Sequence, residues 1–343
     1  FNYETLDLTK EQISALIPQF KEIGVTRVNF GGGEAPLHLD FLSVVQDLFD
    51  AGIKISLTTN GSTFPKIRNY LHLFNDVGVS IDLPAVEHCE FRGHPMAFEW
   101  AKRALNELVD RGIRNEMVTC IMSINYNRLD EVHSIAQDIG VDMWRLNRFH
   151  SSRNDIKRLQ HLTGIELLVE KMNESLACST QQLQIAYEYL ASVTPKEIDY
   201  AIPDPIFRLL VGGSGVTNGT PYGKTSFRIK SNGDVTPDVF TNHVAGNVFT
   251  QPLSKIVLSD TFKEFRERQP TGKCVSCQNL TSCQGGDLTD SYFIENDIRS
   301  PDPYCFLEPS VKRETKIIPI EQTRHVHESY LATIYVPIRG MKK

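Results

Sequence analysis

The chain has 343 residues, 41% of them hydrophobic and 23% charged, with a formal net charge of −6. That balance is ordinary for a globular protein; it excludes disorder, collagen-like repeats and a surface basic enough to bind nucleic acid by counterion release. No apolar run of about 18 residues occurs, and Phe1-Asn2-Tyr3-Glu4-Thr5 lacks the basic and apolar regions of an export signal. A cytoplasmic protein off the membrane is therefore expected, its seven cysteines reduced thiols or metal ligands.

In chain order, Thr9 and Gln12 form a capping box that opens a helix with Ile13, Leu16, Ile17, Phe20 and Ile23 on its apolar face. Pro18 inside it should kink the helix or push its start later. Gly24 ends it, and residues 26–30 read as a strand. Helices at 39–51, 65–75, 97–109 and 127–139 then alternate with strands at 54–59, 79–83, 114–122 and 142–147, with Cys89 left in a loop beside His88 and Glu90. This alternation predicts βαβ units, a parallel sheet, and unusual sequence gathered on the βα loops. The chain opens on a helix, so such a sheet has a bare edge, and we expect the strand that belongs before Phe1 to be missing.

Residues 1–150 thus form one α/β domain. Residues 151–215 read as a helical bridge with an amphipathic stretch at 165–176, ending at a glycine-rich boundary. Residues 216–305 form a small second domain with a hairpin turned at Ser231-Asn232-Gly233 and a helix near 253–268, and 306–343 a tail with strand-like runs at 316–320 and 331–338.

Three groups of residues carry chemistry. Cys274 and Cys277 form a C-x2-C knuckle, followed by Cys283 and Cys305, and four such sulfurs suit zinc or a [4Fe–4S] cluster. Cys89, Cys120 and Cys178 read as core or loop thiols. Gly31-Gly32-Gly33-Glu34 follows the first strand, its bare backbone open to a ligand and its carboxylate suited to an ammonium group; a flexible loop would look the same. Thr59-Asn60-Gly61, Ser80-Ile81-Asp82, Arg145 and Arg148 put polar groups at further strand ends, where they could hold a ribose or a carboxylate. Turn chemistry and surface ion pairs are the competing explanations.

Together these motifs resemble the radical S-adenosylmethionine enzymes, and within them the mycofactocin-type peptide maturases with a SPASM or twitch carboxy domain. Val28 to Glu34, Ala245-Gly246-Asn247-Val248, Gly285-Gly286 and Pro301-Asp302-Pro303-Tyr304-Cys305 share in the likeness, which spans residues 5–305. The resemblance implies a partial (β/α)6 TIM-like barrel that generates a 5′-deoxyadenosyl radical. Gly32, Gly33, Glu34, Asn60, Ser80, Asp82 and Arg145 would then bind S-adenosylmethionine. It also implies a radical-generating [4Fe–4S] cluster, whose C-x3-C-x2-C loop is not among these 343 residues, and one auxiliary [4Fe–4S] cluster on Cys274, Cys277, Cys283 and Cys305. Ala35 stands where the family usually has proline. Thr220, Phe227, Asp238 and Asp287 stand where cysteines of a further auxiliary cluster would fall, and carboxylates without thiolates do not suit such a cluster.

The function expected is modification of a ribosomally made precursor peptide, with electrons from a flavodoxin- or ferredoxin-type donor. The alternatives are the same chemistry on a small cofactor precursor and a non-catalytic zinc-knuckle binding protein. His88, Glu116 and Tyr126 are acid or base candidates by position alone. A peptide would need an extended groove or a sheet edge, which the tail strands near Ile317 and Tyr335 could supply or cover. His325 and His327, two apart in the tail, read as a solvated face rather than a metal pair.

Overall fold

The computed structural model of the chain describes residues 8–150, 176–193, 199–215, 217–319 and 331–336. Helix α1 (Lys10–Glu22) starts at the Thr9 capping box and runs unbroken through Pro18, so the proline neither delays its start nor ends it. Its buried Ile13, Leu16 and Phe20 hold it against the core.

Strand β1 (Arg27–Gly32) is followed by α2 (Phe41–Asp50), β2 (Lys54–Thr59), α3 (Phe64–Ile67) and β3 (Asp76–Ser80). The helix expected over 65–75 is thus one turn with a 3-10 turn after it, and its strand begins three residues before the expected 79–83. Next come α4 (Ala85–Arg92), α5 (Ala97–Asp110), β4 (Asn115–Ile121), α6 (Leu129–Ile139) and β5 (Met143–Arg148). Cys89 lies in α4, not in a loop; this helix buries only His88, too faint an apolar stripe to read as helical. Beyond residues 151–175, which include nearly all of the amphipathic 165–176 stretch and lie outside the described residues, are α7 (Thr180–Ser192), β6 (Asp199–Ala201) and α8 (Pro205–Val211).

Strands β1 to β6 are parallel and adjacent in order, the partial barrel expected. Ile55, Leu57, Val77, Val79, Met117 and Trp144 face the helices in one hydrophobic core, while the alternate positions carry Ser56, Asp76, Glu116 and Arg145 to the other face.

The carboxy half adds β7 (Ser214–Gly215), β8 (Ser226–Ile229), β9 (Asp234–Thr236), β10 (Gly246–Asn247), α9 (Leu253–Ile256), α10 (Asp260–Arg266), α11 (Leu280–Cys283), α12 (Leu288–Glu295), β11 (Lys316–Ile317) and β12 (Leu331–Val336). The hairpin turns at the expected place, whereas the expected 253–268 helix is two pieces because Ser259 caps a second start. The sheet edge expected to be bare is occupied: β12 lies parallel between β1 and β8, joining the barrel sheet and the hairpin into one ten-stranded sheet. Among the described residues no helix is long and apolar enough to cross a membrane.

Candidate functional site

The four carboxy-terminal cysteines reach one small cavity from three stretches of chain. Cys274 ends a 3-10 turn, Cys277 follows it, Cys283 ends α11 and Cys305 follows the Pro301–Tyr304 turn; Leu209, Leu280 and Leu307 complete the wall. Backbone amides point at the sulfurs: Asn279 N–H donates to Cys277 Sγ at 3.4 Å, and the Gly286 and Leu307 amides serve Cys283 and Cys305. Gly286 is required here, because its φ is +77° and a Cβ would lie 2.4 Å from that of Asp302. Arg268 ties the loops by donating to Gly286 O at 3.0 Å and Ser300 O at 2.9 Å.

Burial, reinforced by neighbouring sulfurs, pushes the Cys274 and Cys283 thiols up, and burial does the same to Cys305. Thiolates here therefore need a positively charged group among them. Zinc would draw tetrahedral ligands at 2.3 Å to about 3.8 Å from one another. Four thiols on one cavity wall supply the donor set of either group, and the match to an iron–sulfur domain model reported below favours the cluster. The other thiols stand apart: Cys120 and Cys178 are raised by burial, and Cys89 donates to Pro95 O at 3.2 Å.

At the barrel mouth, β1 gives way to Gly33 and Glu34. The Glu34 carboxylate is 6% exposed and accepts from the Thr59 and Thr63 hydroxyls and, at 3.0 Å, from Asn60 N–H. With both oxygens engaged, it fixes the β1 and β2 loops to each other. Asn60 spends its own side-chain oxygen on Ser62 N–H at 2.9 Å. Gly61, at φ +85°, lets the turn press on the Trp100 backbone, 2.7 Å from where a Cβ would sit.

Ser80 and Asp82 open onto a cavity of about 370 Å³ between the strand ends and the carboxy domain. Its wall includes Cys120, Asn147, Arg148, His150, Tyr222, Asp238 and Asp287. Asp82 is anchored by Arg92 Nε at 3.0 Å and Cys120 N–H at 2.9 Å. Asn125 supports the same loop through Asp82 O at 2.9 Å and Cys120 O at 2.8 Å. His88 accepts Asp82 N–H at 3.2 Å, and burial pushes its pKa down to about 4, so it is neutral at pH 7. Tyr126 packs against the core.

Arg145 does not line this cavity. It lies over Gly78 inside the barrel, 3.3 Å from Glu116 and donating to Thr58 Oγ1 at 3.3 Å. Arg27 meets Asp76 at 2.7 Å in the same barrel interior, and burial raises both carboxyls. Glu116 is thus part of an ion pair in the barrel interior.

Arg148 joins the two halves. Its guanidinium pairs with Asp204, with Asp302 at 2.8 and 3.1 Å, and with Asp290 at 3.2 Å. Asp302 also accepts from Asp287 N–H and Tyr304 N–H, each at 2.9 Å, which fixes the turn before Cys305. Sequence reasoning missed Arg92, Thr63, His150, Asp204 and Asp290. The Asp-Pro start of α8 at Asp204 carried a local capping signal; the others carry none.

Residues 2–139 match the Radical SAM superfamily model, and residues 221–279 match that of SPASM, an iron–sulfur cluster-binding domain. Mycofactocin maturase MftC of Mycobacterium tuberculosis is 28% identical over 326 residues, covering 90% of this chain and 78% of that one. The AdoMet-dependent heme synthase of Nitratidesulfovibrio vulgaris is 24% identical over 325 residues, covering 88% and 85%. The crystal structure of Streptococcus suis SuiB bound to S-adenosylmethionine superposes with a TM-score of 0.64 over 87% of this chain and 70% of that one; at 18% identity this likeness concerns the fold.

Proposed function

We propose that this radical SAM enzyme with a SPASM domain modifies a precursor peptide held in the cavity between Ser80–Asp82 and the carboxy domain. S-adenosylmethionine supplies a 5′-deoxyadenosyl radical that removes a hydrogen atom from the substrate, and the [4Fe–4S] clusters carry the electrons. The chain's own part is to hold these groups. The Gly32–Gly33 backbone faces the methionyl end, on a loop that Glu34 and Asn60 lock. Ser80 and Asp82 meet the ribose from the next strand end, with Asp82 aimed by Arg92. Arg145 acts from within the barrel, keeping the strands that carry Ser80 in register. Cys274, Cys277, Cys283 and Cys305 hold the auxiliary cluster, and a flavodoxin- or ferredoxin-type protein delivers electrons.

The observation that carries this reading is the cavity itself, which is walled by the strand ends on one side and by Tyr222, Asp238 and Asp287 of the carboxy domain on the other, so both halves can touch a substrate held there. The peptide assignment leans on the maturase relatives; the heme synthase relatives favour a second reading, a tetrapyrrole-sized precursor. The test is anaerobic incubation of the iron-reconstituted protein with S-adenosylmethionine, a low-potential reductant and either a candidate precursor peptide or a porphyrin. 5′-Deoxyadenosine formed together with a mass change in the peptide is the expected result. Turnover of the porphyrin alone establishes the second reading, and no 5′-deoxyadenosine with either substrate overturns both.

A further inference from the structure

His150 and Asp287 of the cavity wall, with Asp290 behind them, form a cluster that the proposed chemistry leaves unused. One ring nitrogen of His150 and one carboxylate oxygen each of Asp287 and Asp290 lie within 4.8 Å of one another, the one such three-ligand group among the described residues. The His150 side chain is 8% exposed, and Asp287 and Asp290 are 5% and 2% exposed. His150 Nδ1 stands 3.1 Å from Asp290 Oδ1, and Arg148 stands 3.2 Å from Asp290 Oδ2, but neither contact has hydrogen-bond geometry. Both atoms are therefore buried polar groups without a hydrogen bond, which is costly unless another ligand serves them. Asp238, on the same cavity wall, also has a buried oxygen, Oδ2, without a hydrogen bond.

The charges around the cluster do not cancel. Asp204, Asp287, Asp290 and Asp302 are all buried against the guanidiniums of Arg148 and Arg268, which leaves a net negative charge whether His150 is neutral or protonated. We propose that His150, Asp287 and Asp290 bind one divalent first-row cation, with open coordination positions facing the cavity. One imidazole and two carboxylates suit manganese, iron or zinc, and the dication makes the buried web neutral. Ligand positions that face the cavity would let the ion take a carboxylate or carbonyl oxygen of the bound substrate.

Mn²⁺ is the probe of choice, because its preference for oxygen and imidazole keeps it off the cysteine site. The cluster-loaded protein is titrated anaerobically with Mn²⁺, and free Mn²⁺ is followed by electron paramagnetic resonance. One ion bound per chain, with nitrogen coupling from a single imidazole, is the expected result. Binding should weaken at least a hundredfold in His150→Gln and in Asp287→Asn, while the brown cluster absorption is retained. Asparagine preserves the acceptor that Asp287 offers to Thr289 N–H at 2.7 Å, and His150→Gln keeps the test decisive should α12 be disturbed. No stoichiometric binding, or binding equally tight in both variants, overturns the site. The readout needs neither radical chemistry nor substrate, so its failure is separable from failure of the proposed function.

Discussion

Asp302 offers the sharpest test of how the two halves are joined. Its carboxylate is wholly buried and accepts four hydrogen bonds: two from Arg148 and one each from the amides of Asp287 and Tyr304. The guanidinium beside it, opposing the burial cost, holds its pKa below the ordinary carboxylate range. Asp302→Asn keeps the shape but removes the charge and turns an NH2 group toward a donor, whichever way the amide is flipped. Asp204 and Asp290 still compensate Arg148, so the cost is less than that of a lone broken buried pair and comes to about 3 kcal/mol. In a protein of this size that lowers Tm by roughly 4 °C. Because Cys305 N–H donates to Asp302 O at 3.1 Å, the turn that presents this cysteine should loosen and iron content should fall with it. The assay is anaerobic thermal unfolding by circular dichroism, together with iron analysis. A Tm within about 2 °C of the parent, with full iron, would refute the claim that this carboxylate holds the cluster loop to the barrel.

Gly286→Ala should cost about 3 kcal/mol or more, since it forces a positive φ and a contact with Asp302; soluble protein with a normal auxiliary-cluster signal would contradict this. Cys277→Ala should remove about four irons per chain while S-adenosylmethionine binding, measured by calorimetry, is retained. Loss of zinc instead of iron would refute the assignment of an iron–sulfur cluster to these four cysteines. His88 is neutral in the fold with a pKa near 4, whereas the unfolded chain takes up its proton near pH 6.5. Its contribution is therefore complete above pH 6.5 and lost as pH falls toward 4, about 3 kcal/mol in all. His88→Asn keeps an acceptor for Asp82 N–H without titrating, so the difference in Tm between parent and variant should narrow or reverse over that interval; a constant difference would exclude the effect.

Local signals in the chain determined much of the architecture. The Thr9–Gln12 capping box, the glycines that stop helices at positive φ (Gly24 at +77°, Gly52 at +77°, Gly140 at +74°) and the alternating apolar strands each act over a few residues, and the barrel followed from them. The cysteine spacing likewise marked a metal-binding knuckle, because ligands that share one turn must be close in sequence. Tertiary structure alone decided the rest. That Glu34 is engaged by Thr59, Asn60 and Thr63, that Arg145 turns into the barrel over Gly78 while Arg148 reaches 154 residues along the chain to Asp302, and that His150 meets Asp287 and Asp290 depend on which strand ends and loops are folded together. No periodicity encodes such meetings: a buried charge is placed by the partners that neutralise it, and here those partners lie in the other half of the molecule.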